Sequence, residues 1–217
     1  MLSNRPALIE LYRRALLDDV VPFWEKYSID RECGGYLICL ERDGTVYDTD
    51  KFIWFQARSA WMFSALYLEV EKRPEWLELA RHGIAFLEKY GRDAAGDWYF
   101  SLDRSGAPLV QPYNIFSDCF AAMAFGKYAL AAGDDAARAI ALDTFHRILA
   151  RRDAPKGKYD KTVAGTRSMR NLALPMMLAV IGLELNELLP PETRERFLDE
   201  VIEQIFGLFL DEESLLL

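Results

Sequence analysis

Two stretches of the chain carry one pattern, displaced by 62 residues. Gly44 in "GGYLICLERDGTVYD" answers to Gly106 in "GDWYFSLDRSGAPLV" (106 − 44 = 62), and the same step takes Trp54 to Phe116, Ala60 to Ala122 and Phe63 to Phe125. Residues alternate in character around Asp43-Gly44 and Ser105-Gly106, and the turns are of the kind hairpins use. Each hairpin signal precedes a helix that is apolar around its whole circumference, then a helix with one wet face. A third unit begins near Leu172 with a weaker match and no clear hairpin. Repeated helix pairs cannot bury their apolar surface alone, so they stack. A helix apolar on every side needs neighbours on every side, and its partner needs them on one. The pattern therefore predicts an all-α chain in two concentric layers, inner and outer: an (α/α)6 toroid, here a part of one.

Helical periodicity places about seven helices in residues 1–217, read as a single domain. They span about Pro6–Lys26, Phe52–Glu71, a third through Trp76, Ala80, Ile84 and Leu87, then Asn114–Ala132, Asp134–Ala150 and Met169–Leu188. "PPETRERF" opens the last, with proline tolerated in a first turn.

The inner helix of the first unit contains "KFIWFQARSAWMF". Trp54, Arg58 and Trp61 are spaced i, i+4, i+7 and share one face. An unpaired guanidinium in plain core costs several kcal/mol. On a cavity wall the same three side chains form a polar-aromatic surface that suits a sugar, whose C–H faces stack on rings and whose hydroxyls take arginine's fixed donors. The competing reading pairs Arg58 with Asp118 or Glu69 between layers, and makes Trp54 and Trp61 core aromatics.

Bulk composition narrows the classes. A formal net charge of −8 is wrong for binding driven by phosphate contacts, so no nucleic-acid partner is expected. No apolar run reaches the ~20 residues of a membrane span, so no membrane partner is expected. The first helix is interrupted by charges and reads as an amphipathic helix, not a signal peptide. Three cysteines without CxxC spacing suit reduced thiols and a cytoplasmic protein.

The stretches "GGYLICLERDGTVYDTDKFIWFQARSAWMFSALY", "IFSDCFAAMAF" and "LALPMMLAVIGLEL" resemble, in order and spacing, the N-acylglucosamine 2-epimerase family. The Asp-Gly turn, Tyr-Asp and Lys-x-x-Trp-x-Gln-x-Arg are the most specific part. Pro-Met-Met resembles the acylglucosamine branch. The resemblance implies an (α/α)6 barrel with a central cleft, and reversible epimerisation at C2 between N-acetylglucosamine and N-acetylmannosamine. The chemistry is removal of the proton next to the carbonyl of the open-chain sugar and its return on the other face. No cofactor is implied. Some family members respond to ATP, which the resemblance admits as an allosteric effector without placing its site; a homodimer is admitted in the same way.

By the same resemblance Arg58 is the catalytic arginine, binding sugar oxygens and stabilising enediolate charge. Trp54, Gln56, Trp61, Phe116, Ser117, Asp118 and Met176 are the candidate substrate-binding residues. Ser117 and Asp118 also read as helix-capping groups, and Met176 and Met177 as gap-filling core. Tyr47 and Lys51 stand at the rim as lid residues or structural pairs. Family members use two histidines as bases, one in His-x-x-Glu after Asn-Pro-Gly, a motif expected beyond residue 217. Only His82 and His146 are present, both on amphipathic outer helices. No His/Cys/Asp cluster has metal-ligand spacing. "GRDAAGD" and the glycines of 157–166 lack phosphate-loop spacing. Two functions stand: a sugar 2-epimerase or related aldose-ketose isomerase or cellobiose 2-epimerase, and a noncatalytic toroid fragment that binds sugar or a protein partner along an apolar seam.

Overall fold

The protein's structure, a computed structural model, describes residues 4–153, 163 and 171–216. Helix α1 (Arg5–Arg14) runs through a π-helical turn at Ala15–Val20 into α2 (Val21–Tyr27). The chain thus keeps the expected first helix but widens it ahead of Pro22, whose ring crowds the preceding turn and which has no N–H to give. A hairpin of β1 (Cys39–Leu40) and β2 (Val46–Asp48) follows, then β3 (Lys51–Phe52) leading straight into α3 (Ile53–Ala65). A second π turn, Leu66–Val70, ends that helix. Next come α4 (Pro74–Tyr90), the hairpin β4 (Ser101–Leu102) and β5 (Pro108–Val110), α5 (Phe116–Ala132), α6 (Asp135–Arg151), α7 (Ala173–Glu184) and α8 (Pro191–Phe209). The Met169 start expected for the sixth helix and the 157–166 glycines lie outside the described residues.

Both hairpins form where alternation placed them. At their turns Gly44 and Gly106 have φ of +88° and +99°, a region closed to most side chains. Tyr27 lies where a Cβ on Gly44 would go, and Tyr90 does the same to Gly106. Each hairpin turn therefore sits on the tyrosine that ends the preceding outer helix, and the repeat holds in packing as well as in sequence. One pairing was not anticipated: β3 joins β4 antiparallel, Lys51 opposite Leu102 and Phe52 opposite Ser101. This sheet ties the first unit to the second.

The layers follow the sequence pattern. Helix α5 packs on α3, α4, α6 and α7, and α3 packs on α4 and α5; α8 covers α7. The inner helices α3, α5 and α7 thus stand side by side, with α4, α6 and α8 outside. The core runs along α5 through Cys119, Ala122, Phe125 and Ala129. At the two edges of the array the apolar surface is open: Leu11 and Tyr12 on α1, Met176 and Leu183 on α7, Phe206 on α8. Among the described residues no helix is long and apolar enough to cross a membrane.

Candidate functional site

The start of α3 is fixed by a buried ionic knot. Lys51 Nζ donates to Asp30 Oδ2 at 2.9 Å, to Gly34 O and to Arg104 O, with both partners of the ion pair fully buried. Arg104, from the second hairpin, adds two bonds of 3.0 Å to the Asp30 carboxylate. Burial alone would raise the Asp30 pKa; the bonds from Arg104 and Lys51 outweigh it and hold the carboxyl well below its ordinary range. His82 Nε2 lies 3.2 Å from Asp30 O and 3.0 Å from Gly35 O. Both are acceptors, so this nitrogen carries the hydrogen. Of the two rim candidates, Lys51 is therefore a structural pair, while Tyr47 stays exposed.

The wall begins in the first turn of α3. Trp54 and Arg58 are exposed and Trp61 half-buried, while Ile53, Ala57, Ala60 and Phe63 face the core. The Arg58 guanidinium lies 5.3 Å from the Phe120 ring centroid and 5.7 Å from that of Trp61. Trp54 meets Phe120 at 6.0 Å between centroids. Cation–ring contacts of this kind contribute about 0.5–2 kcal/mol, and they do not occupy the guanidinium's in-plane donors. A groove of about 370 Å³ opens beside them, lined by Trp24, Trp54, Phe55, Arg58, Trp61 and Met62.

Below the rings the three inner helices are stapled together. Trp61 Nε1 donates to Glu184 Oε2 at 2.8 Å. Lys127 Nζ lies 3.0 Å from the same carboxylate and 2.9 Å from Glu69 Oε1. Burial alone would lower the Lys127 pKa, but hydrogen bonds to Glu69 and Glu184 more than offset it and keep the ammonium charged.

The residues singled out from sequence do not all meet here. Trp54, Arg58 and Trp61 share the wall, and neither proposed ion-pair partner holds Arg58: Asp118 binds Arg151 and Glu69 binds Lys127. Gln56 is turned into the core. Its Oε1 accepts the Tyr36 N–H and its Nε2 donates to Tyr36 O, both at 2.7 Å, so its amide is spent on the backbone and offers nothing to a ligand. Ser117 and Asp118 are buried rather than lining the wall. Asp118 Oδ1 accepts from Arg151 at 3.0 Å and its Oδ2 has no partner; burial pushes its pKa up to about 7 against the pull of Arg151. Phe116 is half-buried at the start of α5, one turn before Phe120, and Met176 lies exposed on α7. His146 is exposed on α6. Phe120, Lys127 and Glu184 were missed. Phe120 was within reach, because 58 + 62 = 120; the other two had no local signal, since their partners lie on other helices.

Rings and a guanidinium with no ion pair among the described residues can, on an open wall, hold a polyhydroxylated ligand by stacking and by fork-shaped hydrogen bonds. They cannot abstract a proton, because arginine stays protonated. Among the described residues no group of three or more His, Cys, Asp or Glu is arranged to hold a metal ion.

The family model of N-acylglucosamine 2-epimerase (GlcNAc 2-epimerase) matches residues 35–213. The N-acylglucosamine 2-epimerase of Bos taurus is 38% identical over 176 residues, 79% of this chain and 42% of that protein. A cellobiose 2-epimerase of Ruminococcus albus is 29% identical over 142 residues, 65% of this chain and 36% of that one. The structure of cellobiose 2-epimerase from Bacillus thermoamylovorans B4167 superposes with a TM-score of 0.84 at 21% identity, over 96% of this chain and 58% of that one. The chain spans less than half the length of the curated relatives it matches. The last likeness shows the fold, an α/α barrel of which this chain supplies a part. On the family model and the 38% identity together, the chain belongs to the N-acylglucosamine 2-epimerase family.

Proposed function

We propose that this chain, acting as one unit, supplies the sugar-binding wall of a 2-epimerase that acts on an acylamino sugar, interconverting N-acetylglucosamine and N-acetylmannosamine. The observation that carries the proposal is Arg58: exposed, flanked by Trp61 and Phe120, and without an ion pair among the described residues. In this reading Trp54 and Trp61 bear the C–H faces of the sugar. Arg58 holds oxygens near C1 and C2 and stabilises the charge that develops when the C2 proton leaves. The bases come from elsewhere, since His82 supports the Asp30–Gly35 loop and His146 lies outside. No cofactor is needed for proton transfer beside a carbonyl. Free Cys33, Cys39 and Cys119 support a reducing, cytoplasmic setting. The higher identity to the acylglucosamine enzyme than to the cellobiose enzyme favours the amino sugar.

Titration of tryptophan fluorescence with N-acetylmannosamine and with cellobiose tests this choice. Saturable quenching by the amino sugar at lower concentration than by cellobiose supports it. The reverse order assigns the wall to the disaccharide branch. A second reading, a noncatalytic fragment that docks a protein, is favoured by the open apolar edges at Tyr12 and Leu183; absence of any sugar response would select it. A homodimer through those edges is compatible with either.

A further inference from the structure

The floor of the wall brings a carboxylate, an ammonium and a guanidinium to one indole, yet the guanidinium has no ion pair among the described residues. Glu184 Oε2 sits 2.8 Å from Trp61 Nε1, and Arg58 lies over the same ring. Lys127 sits between Glu69 and Glu184 at 2.9 and 3.0 Å, 6.0 Å from the centroid of that indole. The Glu184 side chain is only 19% exposed. A carboxylate so poorly hydrated needs a cation. Arg58 is the other cation against the same indole, on a long side chain that lines the groove. We propose that Lys127 is a positioning residue: by engaging Glu69 and Glu184 it keeps the Arg58 guanidinium free for the oxygens of a bound sugar. The proposal rests on the sugar reading of the wall for its purpose, but not for its physics.

The arrangement has a structural reason. Glu69 stands in the π turn that ends α3, Lys127 in the second half of α5 and Glu184 at the end of α7. Each inner helix contributes one charge at the same level. A lysine there neutralises the two carboxylates at the C-terminal ends of α3 and α7, where a cation is favoured. Replacing it with an apolar residue leaves two anions below Arg58 and nothing else on the wall to answer them.

The reactivity of Arg58 toward phenylglyoxal, read by peptide mass spectrometry on the 217-residue chain, tests the inference without any sugar. Lys127→Met is expected to slow modification of Arg58 at least about fivefold, because the guanidinium pairs with Glu184, and Lys127→Met with Glu184→Gln to restore it to within about twofold of the parent. Glutamine still accepts the Trp61 N–H, so the double variant removes charge and not the indole's anchor. Lys127→Gln, which keeps a donor, gives the same readout should methionine prevent folding. An unchanged Arg58 rate in both charge-removing variants, or no restoration in the double variant, overturns the inference. In the parent chain N-acetylmannosamine should protect Arg58. If the rates follow the charges but the sugar gives no protection, the role of Lys127 stands and the sugar reading of the wall falls.

Discussion

Arg58 and Phe120 are the same position of the repeat (120 − 58 = 62), and in the folded chain the guanidinium of one lies 5.3 Å from the ring centroid of the other. Equivalent residues meet because α3 and α5 stand level, side by side, in the inner layer. One copy supplies the charge and the other a face for it to rest on. The wall is built from the repeat, with the two copies differentiated where they touch.

Phe120→Leu keeps an apolar side chain on α5 but removes one of the two rings beside Arg58. The cation–ring term is about 0.5–2 kcal/mol, so affinity for N-acetylmannosamine should fall severalfold while the thermal midpoint moves little. Fluorescence titration and a melting curve, taken together, separate the two effects. A large loss of stability without loss of affinity would make Phe120 a packing residue only.

Lys51→Met breaks the buried pair with Asp30 and leaves the carboxylate with Arg104 and the backbone N–H groups of Glu32 and Cys33. Removing one partner of a buried pair costs about 3–5 kcal/mol, so urea unfolding should show a loss of that order. The Asp30 pKa is depressed on folding. Its contribution is therefore full above the unfolded value of about 3.9 and is lost as pH falls through the lower folded value. Acid unfolding should begin at higher pH in Asp30→Asn, which lacks that ion pair throughout; an unchanged acid limb would contradict the assignment.

Asp118 has the opposite sign. Burial raises its folded pKa to about 7, so between the unfolded value and pH 7 the unfolded chain sheds a proton that the folded chain keeps. Stability should fall as pH rises from about 4 to about 7, by up to about 1.4 kcal/mol per unit from this group, and level off above. Asp118→Asn should flatten that slope and be relatively more stable at pH 8 than at pH 4, compared with the parent. Chemical denaturation across this pH range measures it.

The chain by itself should not exchange the C2 proton of N-acetylmannosamine with D2O, because among the described residues the wall holds no histidine to serve as a base on either face of the sugar. It should self-associate through the open edges marked by Tyr12, Leu183 and Phe206. Proton NMR and light scattering test the two statements separately. Exchange above the buffer rate would return His82 and His146 to consideration as bases.

The layers, the hairpins and the Trp54–Arg58–Trp61 face were legible because each is local: a period, a turn, a spacing along one helix. Gln56 was not. Its neighbours in sequence place it near the wall, and only the fold shows Tyr36 taking both ends of its amide. Asp118 misled for the same reason, since Arg151 comes from the far end of α6. The staple through Lys127 joins three helices more than a hundred residues apart in all, and no spacing along the chain announces it. The pairing of β3 with β4 was equally invisible, two-residue strands being too short to carry a pattern.

The most direct measurement is the affinity of Arg58→Ala for N-acetylmannosamine, set beside that of the parent chain by tryptophan fluorescence. Arg58 is exposed and has no ion pair among the described residues, so the variant's stability should stay within about 1 kcal/mol of the parent's. The account predicts a loss of affinity of at least about tenfold, the worth of a charge-assisted bidentate contact. Equal affinity in the two folded chains would contradict it.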